Sequence, residues 1–205
     1  MTDWDDRYRK GDMPWEKGRG APPLDELLEK RGLALWGKGP VLVPGCGFGH
    51  DVRTLAAAGL QAMGLDLAEI AIEKAMQFPL AGNEHYEMGD FLDGKWSCGR
   101  KFSALWEHTC FCAIDPSRRA DYAVAAADCL EPGGLLAGVF FLTPRDPGDP
   151  AEGPPFGTSI AELTSCFAKS FSLIEGWVPA SAYPGREGRE WIGIFRKTPV
   201  PEVAG

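Results

Sequence analysis

One short segment constrains this chain more than any other. Pro40 to Val43 is an apolar run that passes into Pro44-Gly45-Cys46-Gly47-Phe48-Gly49, and Asp51 to Ala58 then reads as a helix that stops at Gly59. A strand that turns through glycines into a helix lets a ligand approach the backbone closely, because glycine has no Cβ. A second apolar run, Ala62 to Leu65, ends on Asp66, nineteen residues beyond Gly47. A carboxylate at that distance accepts hydrogen bonds from ribose hydroxyls. Gly45, Gly47, Asp66 and the adjoining Leu67 therefore make a candidate nucleoside site.

The same rhythm continues along the chain. Leu67, Ile70, Ala71, Ala75 and Phe78 share one helical face that Pro79 closes, and His85 to Met88 and Phe102 to Trp106 are strand-like. Asp115-Pro116 is a helix start, with a capping acid and a proline in the first turn. That helix carries Tyr122, Ala123, Ala126, Ala127 and Leu130 and ends at Glu131-Pro132-Gly133-Gly134. Leu135 to Leu142 is nearly unbroken apolar sequence, as suits a central strand covered on both faces. Alternating units predict a parallel sheet with helices on both sides. Phe171 to Val178 and Glu190 to Arg196 are two further strands with no long helix between them, expected to pair antiparallel at one edge. Seven strands in a mostly parallel α/β sheet follow. One domain is expected over residues 1–197, with a disordered tail over 198–205. The proline-rich stretch from Thr143 to Gly157 follows the carboxyl end of a central strand, where open α/β sheets bind ligands, and reads as a substrate-side loop.

Composition narrows the partners. With 21 Lys and Arg against 29 Asp and Glu the net charge is −8. No basic run exceeds two residues, so the counterion displacement that nucleic-acid binding needs has no obvious footing. No apolar run approaches the roughly 20 residues of a membrane helix. The acidic start Met1-Thr2-Asp3-Trp4-Asp5-Asp6 is unlike a secretory signal, which makes a cytoplasmic location the default expectation. Three of the six cysteines fall inside apolar or helical patterns, and the set reads as reduced thiols. His108, Cys110 and Cys112 lack the spacing of zinc pairs, so no metal is expected.

Which nucleoside is bound is narrowed by further acids. Asp90, in Gly89-Asp90-Phe91, suits adenine: the carboxylate accepts from the exocyclic amine while Phe91 packs on the ring. Glu107 ends the next strand, where it would face an amino group or a sulfonium. A dinucleotide normally needs a second mononucleotide half, whereas this chain finishes in an edge hairpin. Three acids at three successive strand ends favour a cationic nucleoside, and S-adenosylmethionine is that ligand, with S-adenosylhomocysteine as its product.

Three strings carry a resemblance. They are Trp4-Asp-Asp-Arg-Tyr8-x-x-Gly11-x-x-Pro14-Trp15-Glu16-x-Gly18, Val43-Pro-Gly-Cys-Gly-x-Gly-His-Asp51, and Phe111-Cys-Ala-Ile114-x-Pro116-x-x-Arg119-x-x-Tyr122. Together they resemble the thiopurine methyltransferase superfamily of Rossmann-like class I methyltransferases, with a closer likeness to its halide and thiol (thiocyanate) methyltransferase branch, from about Trp4 to Lys197. The resemblance implies that residues 1–22 form an arm whose Trp4, Tyr8 and Trp15 close over the cofactor. Aromatic faces attract a sulfonium and exclude water from it.

Two positions depart from that branch. His108 stands where an aromatic, often a tyrosine, is usual, Phe156 stands where a tyrosine near the acceptor is usual, and Arg186 matches a basic position near the C-terminal hairpin. His108 is a candidate base for a thiol, Phe156 an acceptor contact, and Arg186 a holder of an anionic acceptor. The expected activity is methyl transfer to a small soft nucleophile: a thiol, hydrosulfide, thiocyanate or a halide. The alternatives are a larger substrate such as a thiopurine-like aromatic thiol, or a non-catalytic binding module. The expected partner is the small-molecule acceptor, on a monomer or weak homodimer.

Overall fold

The computed structural model describes residues 2–149 and 153–199. The expected tail therefore lies almost wholly outside the described residues, as does the middle of the proline-rich loop. The chain forms one seven-stranded sheet in the order β3-β2-β1-β4-β5-β7-β6. The strands are β1 (Val41–Pro44), β2 (Gln61–Asp66), β3 (Asn83–Met88), β4 (Phe102–His108), β5 (Leu130–Phe141), β6 (Phe171–Trp177) and β7 (Glu190–Lys197). The pairs from β3 through to β5 are parallel, and β7 lies antiparallel between β5 and β6. The expected edge hairpin is present, with the last strand on its inner side.

Helices α1 (Trp4–Lys10), α2 (Pro22–Arg31), α3 (His50–Ala57), α4 (Glu69–Ala75), α5 (Arg119–Cys129) and α6 (Ile160–Phe167) complete the fold. Strand alternation divides the core in two. Leu42, Leu105 and Leu136 join Tyr122 and Phe167 on the face of α5 and α6. Val41, Val43, Ala104 and Trp106 join Leu24, Leu27 and Val52 on the face of α2 and α3.

Several boundaries differ from expectation for identifiable reasons. Helix α4 ends at Ala75, and Phe78 sits in the following turn, its ring 4.2 Å from the Arg53 guanidinium and 5.6 Å from His50. Asp115 caps a short 3₁₀ turn, Pro116–Arg118, that feeds α5. Strand β5 begins at Leu130, before the Glu-Pro-Gly-Gly segment, because Leu130 pairs with Phe102 and the register then shifts to Ala104↔Leu135. The glycines make an irregularity inside the strand, not a stop in front of it. Helices α1, α2 and α6 were not anticipated. α1 is capped by Asp3 and closed by Gly11, while α6 is capped by the Ser159 hydroxyl.

Candidate active site

Between β1 and β4 the strand order reverses, and the carboxyl ends of these strands open a crevice, as Rossmann-like sheets do. A cavity of about 910 Å³ lies there. Ten of the residues expected at the site line it: Trp4, Tyr8, Trp15, Gly45, Asp66, Leu67, Asp90, Phe91, Phe156 and Arg186.

The glycine turn has φ +60° at Gly45 and +53° at Gly47, a region costly for other residues. A Cβ on Gly45 would stand 2.9 Å from that of Cys110, so this glycine admits the turn after β4. Gly47 donates its N–H to Asp66 Oδ2 at 2.8 Å, and Ala68 donates to Oδ1 at 2.9 Å. Burial pushes the Asp66 carboxyl up, against the pull of these N–H groups. Asp90 accepts from the Leu92 N–H at 2.9 Å, and Phe91 packs on Tyr122 with ring centroids 5.0 Å apart. Gly47 itself faces a neighbouring cavity of about 50 Å³.

The N-terminal arm folds over this end. Trp15 meets Trp4 and Tyr8 edge-on at 5.4 and 5.7 Å, and Tyr8 lies 5.4 Å from Phe48. Arg7 stands 4.4 Å from the Trp15 ring and so already places one cation on an aromatic face. Two contacts pin the arm. Asp5 accepts from the Ile70 N–H at 3.2 Å, and Glu16 meets His50 Nε2 at 2.8 Å. Arg53 donates to His50 Nδ1 at 3.0 Å. Arginine is only a donor, so Nδ1 accepts and the His50 proton resides on Nε2, facing Glu16.

Two residues require correction. Glu107 does not face the cavity: it is 1% exposed and lies beneath the turn that follows β4. The Phe111 N–H donates to it at 2.7 Å and the Tyr122 hydroxyl donates to its other oxygen. Burial pushes its pKa up to about 7, against those two donors. His108 is on the opposite side of β4 and lines only the smaller cavity. Its Nδ1 is 2.8 Å from Asp51 Oδ2, its ring stacks on Tyr183 at 5.9 Å, and its Nε2 is buried with no partner among the described residues. Asp51 also accepts from Trp106 Nε1 and the Ala21 N–H, at 2.8 and 2.7 Å. Burial raises its carboxyl, but His108 and these donors hold it below the usual range. Alternation along β4 carried the signal for both: Trp106 and His108 share the α3 face, and Leu105 and Glu107 the α5 face.

The far end of the cavity combines aromatic rings with charge. Phe156 and Phe141 line it together with Cys112 and Arg186. Arg186 donates to the buried Glu190 at 3.1 Å and lies 4.8 Å from the Phe141 ring. Burial pushes the Cys112 thiol up to about 12, and that thiol donates to the Thr109 carbonyl at 3.4 Å. Neither Cys112 nor Phe141 is among the residues expected at the site, and no local pattern marks their exposure to the cavity. Among the described residues no helix is long and apolar enough to cross a membrane.

Comparison with known proteins gives a consistent result. Residues 1–195 match the profile of the family described as thiopurine S-methyltransferase (TPMT). The chain is 30% identical over 203 residues to thiocyanate methyltransferase 1 of Brassica oleracea, covering 95% of this chain and 84% of that protein. It is 29% identical to probable thiol methyltransferase 2 of Arabidopsis thaliana, with the same coverage. The fold matches that of the Burkholderia thailandensis 1,6-didemethyltoxoflavin-N1-methyltransferase, with a TM-score of 0.71 at 18% identity over 96% of this chain and 86% of that one.

Proposed function

The chain belongs to the thiopurine S-methyltransferase family, and from that premise we propose that it methylates an organic thiol, or a like soft anion, held between Phe156 and Arg186. The observation that carries this reading is the continuity of one cavity from Asp66 and Asp90 at one end to Phe156 and Arg186 at the other.

The chemistry of the lining fits S-adenosylmethionine. Asp66 and Asp90 offer acceptors for ribose hydroxyls and an adenine amine. Phe91 offers a face for the base, and Trp4, Tyr8 and Trp15 roof the cavity. Bound there, S-adenosylmethionine supplies an electrophilic methyl group on a sulfonium. The residues of this chain hold donor and acceptor in line and keep water from the nucleophile. The acceptor sulfur forms the new bond to carbon as the old carbon–sulfur bond breaks, its electron pair staying on the departing thioether.

Among the described residues that line the cavity there is no histidine. Cys112 is held as a thiol, and Arg186 is a fixed cation. The acceptor therefore loses its proton to solvent and arrives as an anion, which Arg186 favours. Aromatic walls at Phe156 and Phe141 favour an organic thiol over a halide ion. The direct test is release of S-adenosylhomocysteine with thiophenol, hydrosulfide, thiocyanate and iodide. The proposal predicts turnover of thiophenol, with kcat/KM across a thiol series inflecting at each thiol's own pKa. It fails if none is turned over, or if every thiol inflects at one common pH.

A further inference from the structure

We infer that Arg119 is a positioning residue for the acceptor wall: standing outside the cavity, it fixes the backbone of Phe156 and through it the fit of the methyl acceptor. The inference rests on the reading that the acceptor lies against Phe156.

Arg119 opens helix α5 and is 4% exposed, yet it does not line the cavity. Its guanidinium donates to two consecutive carbonyls, those of Gly157 at 3.0 Å and Phe156 at 3.4 Å. It also pairs with Glu162 in the first turn of α6 and lies 4.8 Å from the Phe111 ring. From the opposite direction the Phe156 N–H donates to the Cys112 carbonyl at 2.7 Å. The Phe156 peptide groups are thus gripped on both sides, by the turn that follows β4 and by the start of α5. The ring between them lines the cavity.

The chemistry of the side chain explains why arginine stands here. A planar guanidinium presents five donors in a fixed fork, which suits two adjacent carbonyls and a carboxylate together. A lysine ammonium is a single point of charge and would hold one of these partners well at the expense of the others. A buried charge with no role but gluing α5 to α6 would need only Glu162. The two loop carbonyls are the additional feature. The loop end is fastened once more where Thr158 Oγ1 meets Glu162 at 2.9 Å, so α6 and the acceptor wall share the same anchor.

The experiment uses the full chain, with S-adenosylmethionine as donor and thiophenol as acceptor. Arg119→Lys should raise the KM for thiophenol about tenfold, with kcat and the Kd for S-adenosylhomocysteine each within about twofold of the parent. Phe156→Ala should raise the same KM, and adding Arg119→Lys to it should change nothing further, because the wall it positions is gone. Multiplying effects in the double variant would overturn the inference, as would a KM equal to that of the parent or a cofactor Kd that moves with KM. Should Arg119→Lys not fold, Arg119→Gln removes the buried charge and leaves Glu162, whose side chain is 44% exposed, free to turn to solvent. The same KM rise and the same lack of further effect on Phe156→Ala are expected. A parent protein that turns over no thiol overturns this inference together with the proposed function. A parent that turns over thiophenol while Arg119→Lys matches it overturns the positioning role alone.

Discussion

The end of the cavity that receives Asp66 and Asp90 is framed by strand termini, whereas the end that receives Phe156 and Arg186 is framed by two connections, β5 to α6 and β6 to β7. At the first end, sheet hydrogen bonds fix the backbone and the side chains have little choice of direction. At the second end, a few side chains hold the loops: Arg119 on Phe156 and Gly157, Glu190 on Arg186, and the Tyr183 hydroxyl on the Arg19 carbonyl at 2.7 Å. One fold can therefore keep its donor while loops change the acceptor.

The comparison can be broken at its strongest point first. Asp66→Ala removes a buried acceptor from the proposed ribose site, costing roughly 2–3 kcal/mol of cofactor binding, and strands the Gly47 and Ala68 N–H groups at a cost to folding stability. Calorimetry with S-adenosylhomocysteine should show a loss of about a hundredfold; an unchanged affinity would remove Asp66 from the donor end.

Glu107→Gln tests whether every strand-end acid belongs to the ligand. The Glu107 carboxyl has a raised folded pKa, so the cost of its charge is absent below 4.5 and fully present above about 7. The amide should leave cofactor affinity within about twofold and gain stability relative to the parent as pH rises from 4 to 8. A weakened cofactor would return Glu107 to the cavity.

At the acceptor end, Arg186→Met should raise the KM for thiophenolate about fivefold, roughly 1 kcal/mol, while leaving the cofactor Kd alone. Stability should also fall, because Glu190 loses its partner, and adding Glu190→Gln should restore most of it. The smallest effect concerns His108. With its ring turned to Asp51, His108→Ala should slow thiophenol and iodide by the same factor. A selective loss on the thiol would bring the histidine back as a base.

These contrasts also explain what could be read from sequence. That the glycine turn, Asp66 and Asp90 come to one cavity was legible because all three follow strand ends, and strand ends can be counted. Glu107 was assigned by that same rule, and His108 by its place just beyond it. Both were misplaced because ending a strand does not say which face a side chain takes; parity along β4 does. Arg119 was visible only as part of a motif. Its work depends on a loop that returns 37 residues later, and no local pattern encodes that. Helix α6 went unread for a related reason: it follows the proline-rich loop, and its buried side chains, Leu163 and Phe167, are few.

Asp66 carries one more consequence. Before any ligand arrives, the backbone N–H groups of Gly47, Leu67 and Ala68 already draw on this one carboxylate. On the proposed assignment a vicinal diol meets an acid whose direction is fixed in advance, so selectivity for ribose over deoxyribose is prepared in the empty protein.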